Sequence, residues 1–129
     1  MNTKVRKYKA WNEISKSWIN SFMIDCDGCF YPQDSYGNYD WNIDCLKVKI
    51  IEFTGLEDAL FDGEEIYEND IIRNVDTGYL EIVYWNEQEA AWWCKYHNAD
   101  RIISLADSLR NLNKKVGNVF DNPELLQNE

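Results

Sequence analysis

The chain has 129 residues, enough for one domain with a modest core and too few for two. With 45% hydrophobic and 15% aromatic residues it is no disordered acidic tail, and its apolar stretches are too short for a transmembrane helix. The 23 Asp and Glu outweigh 13 Lys and Arg, and a formal net charge of -10 argues against phosphate-rich partners, nucleic acid and anionic lipid alike.

In chain order, the basic start (Lys4, Arg6, Lys7, Lys9) runs into Trp11, Asn12 and Glu13 instead of an apolar segment. No secretory leader is expected, and the expected compartment is the cytosol. A short strand is predicted from Val5 to Trp11, with a turn at Asn12 and Glu13. The apolar run Trp18 to Met23 fits either a strand or a helix. Residues 31–44, dense in Pro32, Asp34, Ser35, Gly37 and Asn38, read as a loop. Leu46 to Phe53 alternates Leu46, Val48 and Ile50 against Lys47 and Lys49, the period of a half-buried strand. Asp62-Gly63 is a tight-turn pair, and strand is expected at Ile66-Tyr67 and from Asp70 to Arg73. Asp76-Thr77-Gly78 makes a hairpin loop before Tyr79 to Trp85, the strongest strand signal in the chain. A polar turn at residues 86–89 leads to a strand from Ala91 to Tyr96. Ser104 stands as N-cap to Leu105, Leu109 and Leu112, spaced for one helix face. Val116 to Phe120 is a last strand, and Asn122-Pro123-Glu124 opens a helical turn capped by Asn122. Short strands joined by Gly and Asp turns predict a mainly β chain, an SH3-like barrel or strongly curved antiparallel sheet with one short helix near the C-terminus. The expectation is a single domain over residues 1–129.

Charge is unevenly placed. Residues 17–46 hold no Lys or Arg but contain Asp25, Asp27, Asp34, Asp40 and Asp44. Residues 50–72 are again without a base and carry eight carboxylates. Such a face suits a basic protein partner or simple solubility. The arm at residues 4–9 reads as a solvated end.

The run Phe53-Thr54-Gly55-Leu56-Glu57-Asp58, followed by Asp62-Gly63-Glu64-Glu65-Ile66-Tyr67-Glu68-Asn69-Asp70-Ile71-Ile72, resembles the central motif of the YopX-like proteins of bacteriophages and bacterial prophages. Three further matches keep that family's order: Tyr8-Lys9-Ala10-Trp11, Gly78 to Trp85, and the tail from Val116 to Leu126. Together they cover most of residues 8–126. Asn69 departs from the usual Gly, and Asn is the next best residue for a left-handed turn. Residues 12–48 match nothing in the family pattern. The resemblance implies a small, mostly β protein with an SH3-like element that self-associates, encoded by a phage or prophage. It implies no activity, cofactor or catalytic residue. Gly55, Gly63 and Gly78 then read as turn glycines and Asp70 as a turn cap, with a binding loop at 54–63 as the functional alternative.

Candidate chemistry is sparse. Cys26-Asp27-Gly28-Cys29 and Cys94-Lys95-Tyr96-His97 have C-x-x-C and C-x-x-H spacing, and together would make a Cys₃His zinc tetrahedron. Asp25 and Asp27 would favour a cation without being ligands. Cys94, however, sits on a predicted strand, where positions i and i+3 face opposite sides. The other reading is small buried or half-buried thiols kept reduced in the cytosol, with Cys45 an ordinary strand residue. No βαβ context supports a redox role. Glu57/Asp58 and Glu64/Glu65 are expected as solvated turn carboxylates. The chain has a single His and no glycine-rich phosphate loop, so no triad or nucleotide site can be argued.

Six Trp exceed what one small core can hold, and adjacent Trp92 and Trp93 must face opposite sides of a strand. A second copy or the helix would cover the outer one. With the family resemblance, which implies the phage or prophage origin and tips the balance to self-association, the expectation is a non-enzymatic accessory protein and homo-oligomeric protein-interaction module of unknown specific role. It takes no metal and no cofactor, and its further partner is a host or phage protein. The alternative is a zinc-stabilised module, built on Cys26, Cys29, Cys94 and His97, that binds a host protein.

Overall fold

Short strands joined by Asp and Asn turns make up most of the computed structural model, which describes residues 7–127. Val5, Lys4 and Arg6 lie outside the described residues. The described chain forms two compact units, residues 8–51 and Lys7 with residues 52–127.

In the first unit, β1 (Tyr8–Asn12) pairs antiparallel with β2 (Ser17–Trp18). The turn between them is braced by Asn12, whose side-chain oxygen accepts from the Ile14 and Ser15 amides. Trp11 lies opposite Trp18, and their rings meet edge-on at 4.8 Å. The run from Trp18 to Met23 is neither one strand nor a helix. β2 ends at Trp18, and β3 (Phe22–Ile24) starts a second hairpin with β4 (Phe30–Pro32). Asp25 closes that hairpin by accepting from the Asp27 and Cys29 amides, each at 2.9 Å, and from the Tyr31 hydroxyl. Tyr31 and Pro32 belong to β4, and the rest of residues 31–44 is loop, pinned by a bridge between Gln33 and Tyr39.

The strand expected from Leu46 begins later and in the opposite phase. Asp44 accepts from the Leu46 amide and caps a 3-10 turn, Cys45–Lys47, so β5 (Val48–Glu57) starts two residues late. Leu46 is 92% exposed and Ile50 is also exposed, while Ile51 and Phe53 are buried. Cys45 is accordingly a turn residue, not a strand residue.

The second unit takes the rest of β5 and pairs it with β6 (Glu65–Tyr67). Beside them β7 (Asp70–Asn74), β8 (Leu80–Asn86), β9 (Ala91–Tyr96), β10 (Ile102–Ser104) and β11 (Asn113–Asn118) build a five-stranded antiparallel sheet, ordered β10-β9-β8-β7-β11. The sheet is curled into a half-barrel, and the chain is mostly β with one short α-helix. That helix, α1 (Leu105–Arg110), is capped by the Ser104 hydroxyl, which accepts from the Asp107 amide. It ends before Leu112, whose positive φ of 60 turns the chain into β11 and leaves its side chain exposed. β11 begins at Asn113 rather than Val116, because Asn113 already pairs with Asn74. Ile66, Ile72, Val83, Cys94 and Leu105 form the core cluster, with Trp92, Ile103 and Leu109 packed against it. Among the described residues no helix is long and apolar enough to cross a membrane.

Candidate functional site

The residues that carry the sequence motif turn out to shape backbone. Gly55, with a φ of 86, sits where the β5–β6 register slips between Phe53 and Glu57. A side chain disfavours that left-handed conformation, so glycine sets the bulge. Thr54 repairs the interrupted ladder by donating its hydroxyl to the Ile66 carbonyl at 2.7 Å. Asn69 takes a φ of 68 between β6 and β7, and Asp70 caps that turn by accepting from the Tyr67 amide at 2.7 Å.

Asp58 is not the solvated carboxylate expected in the 54–63 loop. It is 1% exposed, because it accepts from the Glu64 amide and, across the fold, from the Lys115 amide. Lys115 has the matching role on β11. Its ammonium lies 3.0 Å from both the Asp70 carboxylate and the Glu65 carbonyl. Neither role is visible in the sequence, since the partners are 57 and 50 residues away.

Asn122 also differs from expectation. It gives no side-chain cap to the terminal 3-10 turn, Pro123–Leu126. Its oxygen instead accepts from the Asn118 amide, and the side chain lies so close that a Cβ on Gly117 would come within 2.7 Å of its Cγ.

A buried polar cluster lies under α1. Glu81 is 2% exposed and accepts a 2.6 Å hydrogen bond from the Ser108 hydroxyl, with the Asn113 amide 3.4 Å from its other oxygen. Burial raises the Glu81 carboxyl above its ordinary value, against the lowering effect of the Ser108 bond. The same burial, together with the Glu81 charge, pushes the Cys94 thiol up. A hydroxyl beside a carboxylate resembles a nucleophile and base, but Ser108 is fully buried. The cluster holds α1 and β11 onto β8.

The residues of the proposed zinc set lie in different settings. Cys26 and Cys29 are not buried as expected but exposed, because the hairpin turn that Asp25 closes carries them outward, whereas Cys94 is a core residue of β9. A thiol held in its neutral form makes a poor metal ligand. His97 bonds through Nε2 to the Leu126 carbonyl at 2.8 Å. Among the described residues no group of three or more His, Cys, Asp or Glu could hold a metal ion.

The tryptophans separate as alternation demands. Trp92 packs against the core cluster and meets Trp85 edge-on at 5.1 Å. Trp93 faces the other side of β9, half-buried, opposite Tyr84 and Ser104. The most exposed aromatics lie elsewhere, in the loop of the first unit, where Tyr36 is 88% and Trp41 86% exposed. The loop is not loose. Asp34 accepts from the Tyr36 and Asn38 amides, Asp40 from Asn42, and Asp44 from Leu46. Tyr39 also packs its ring 4.5 Å from that of Trp41.

These features define a small β protein whose recognisable motif sets bulges and turns. The family model described as "YopX protein" matches residues 7–127, and the chain belongs to that family. Among solved structures it is similar to protein EF1440 from Enterococcus faecalis, at 21% identity and a TM-score of 0.66, over 97% of this chain and 100% of that one. It is also similar to protein yopX from Bacillus subtilis, at 14% identity and a TM-score of 0.58, with the same coverage of 97% and 100%. Both likenesses concern the fold alone. None of the curated proteins matches the chain.

Proposed function

We propose that this protein is a non-enzymatic accessory protein of the phage or prophage type, acting in the cytoplasm as a homo-oligomeric protein-interaction module. The phage assignment rests on the family resemblance. The interaction reading rests on one observation: Tyr36 and Trp41 are 88% and 86% exposed on a loop, and Leu46 92% on the 3-10 turn after it, in a segment that four Asx-type contacts hold in place. Large apolar side chains displayed on a pre-ordered backbone lose little entropy on binding, and Trp and Tyr dominate interface energetics. The net charge of -10 disfavours nucleic acid and anionic membranes as partners. The sealed Ser108–Glu81 pair supports the non-enzymatic reading.

Light scattering at micromolar concentration tests the assembly. The expected result is an oligomer that Trp41→Ala dissociates without unfolding the chain. Because Asp34, Asp40 and Asp44 share that loop, contact between two copies would set like charges together, and added salt should strengthen it. A basic host or phage protein on the same loop would instead bind more weakly in salt. A monomer under all these conditions would overturn the self-association. About one zinc per chain in protein prepared without chelator would replace this reading by the zinc-stabilised one.

A further inference from the structure

A separate feature lies in the second unit, where the loop after β9 folds over the start of β8. Two backbone bonds fix its ends. The His97 amide donates to the Leu80 carbonyl and the Tyr96 amide to the Arg101 carbonyl, each at 2.9 Å. Beside them lies a cleft, open to solvent on one side, of about 320 Å³ walled by Tyr79, Leu80, Tyr96, His97, Asn98 and Arg101. That volume lies at the small end of the range for small-molecule sites, and hydrogen-bonded backbone shapes it before any ligand arrives.

Its chemistry runs against the rest of the chain. Carboxylates outnumber bases by ten overall, yet no Asp or Glu lines this cleft. Arg101 contributes a permanent cation and, among the described residues, forms no ion pair. Its guanidinium instead sits over the Tyr96 ring, 5.3 Å from the centroid, which limits where it can point. A carbonyl only accepts, so His97 donates from Nε2 to Leu126 and keeps Nδ1 as its other polar atom. Tyr79 is 62% exposed and supplies an uncovered aromatic wall.

We propose that this cleft binds a small organic monoanion, a carboxylate carried on a flat aromatic or apolar body. Arg101 pairs with the carboxylate, since a guanidinium fork matches its two oxygens. The Tyr79 ring and Leu80 take the body, the Tyr96 ring holds Arg101, and Asn98 offers neutral hydrogen bonding. One guanidinium with no helix terminus beside it suits a single negative charge better than a phosphate.

The site is testable with simple probes on the full chain. Amide resonances are followed while 3-phenylpropionate is added, with 3-phenylpropionamide, phenethylamine and inorganic phosphate as comparisons. Saturable shifts confined to residues 78–80 and 96–101 are expected with the carboxylate only. Arg101→Gln, an exposed change that leaves the fold intact, should weaken binding about tenfold or more. Arg101→Lys should recover part of the loss. The proposal is overturned if these amides do not respond, if the amide or amine probe binds equally well, if phosphate alone binds there, or if Arg101→Gln leaves the affinity unchanged.

Discussion

The two units are held together by interactions of different reach. In residues 8–51, most side-chain braces join near neighbours, with one reaching 12 residues, from Ser21 to Gln33. Asn12, Asp25, Asp34, Asp40 and Asp44 each accept from amides two to four positions further on. Only Ala10, Trp11, Pro32 and Ile51 are buried there. In residues 52–127 similar local braces, such as those of Asn74, Asn86 and Asn118, are joined by ones that span the sequence: Ser108 to Glu81 is 27 residues, Lys115 to Glu65 is 50, and Lys115 to Asp58 is 57. Local turns order a surface without needing a large core, whereas long-range contacts make a cooperative one. The first unit should therefore open at lower free energy than the second. Amide exchange slower in β3 and β4 than in β7 to β9 would break this comparison.

The largest effect is expected at Lys115. Its side chain is 14% exposed and its Asp70 partner 3%, so Lys115→Met removes the cation from a buried carboxylate and should cost about 3–5 kcal/mol in urea denaturation. Next comes Gly117→Ala, which must displace Asn122 and should cost about 1–3 kcal/mol as an overpacked site. In Gly117→Ala with Asn122→Ala that cost should shrink, because the obstructing atoms are gone. A double-mutant cycle reads the coupling.

Acidification should separate the units by sign. The folded chain holds the Glu81 proton more tightly than the unfolded chain, because burial raises that carboxyl above its ordinary 4.5. Its charge thus destabilises the fold at high pH. The penalty shrinks as pH falls through the folded value and is gone below the unfolded one. Asp25 behaves oppositely. Hydrogen bonds from the Cys29 amide and the Tyr31 hydroxyl hold it below its ordinary 3.8, so its contribution is present above that value and lost as pH falls through the folded one. The stability of Glu81→Gln relative to the natural chain should therefore be most favourable near neutral pH and decline toward pH 4.5. A difference that grows on acidification would contradict the buried-carboxylate account. The smallest effect on folding belongs to Trp41→Ala, within about 0.5 kcal/mol, since the ring is 86% exposed.

Turn chemistry was the most legible part of the fold. Asp62-Gly63, the Asp76 to Gly78 loop, the turn after Asn86 and the Ser104 cap all lie where residue type alone placed them. Turn residues satisfy their own backbone within four positions, so their neighbours in sequence suffice to identify them. The β5 phase was not legible, because Leu46, Val48 and Ile50 alternate as convincingly as Ile51 and Phe53. The Asp44 cap delays the strand, and packing buries Ile51 and Phe53 instead. Strand β10 was missed for want of length, having three residues whose pairing with β9 defines it. Of the candidate site residues, Asp70 and Asn69 could be read as turn formers. Asp58, Glu81 and Lys115 could not, since their partners are assembled by the sheet.

By itself the sequence determined a mainly β chain, its hairpin loops, one capped helix and its family, for each depends on local backbone preference or on residue order. Tertiary structure alone decided which carboxylates left water, which cysteine entered the core, and where the aromatic rings stayed exposed. Burial is a property of what packs around a group, and those surroundings come from segments tens of residues away.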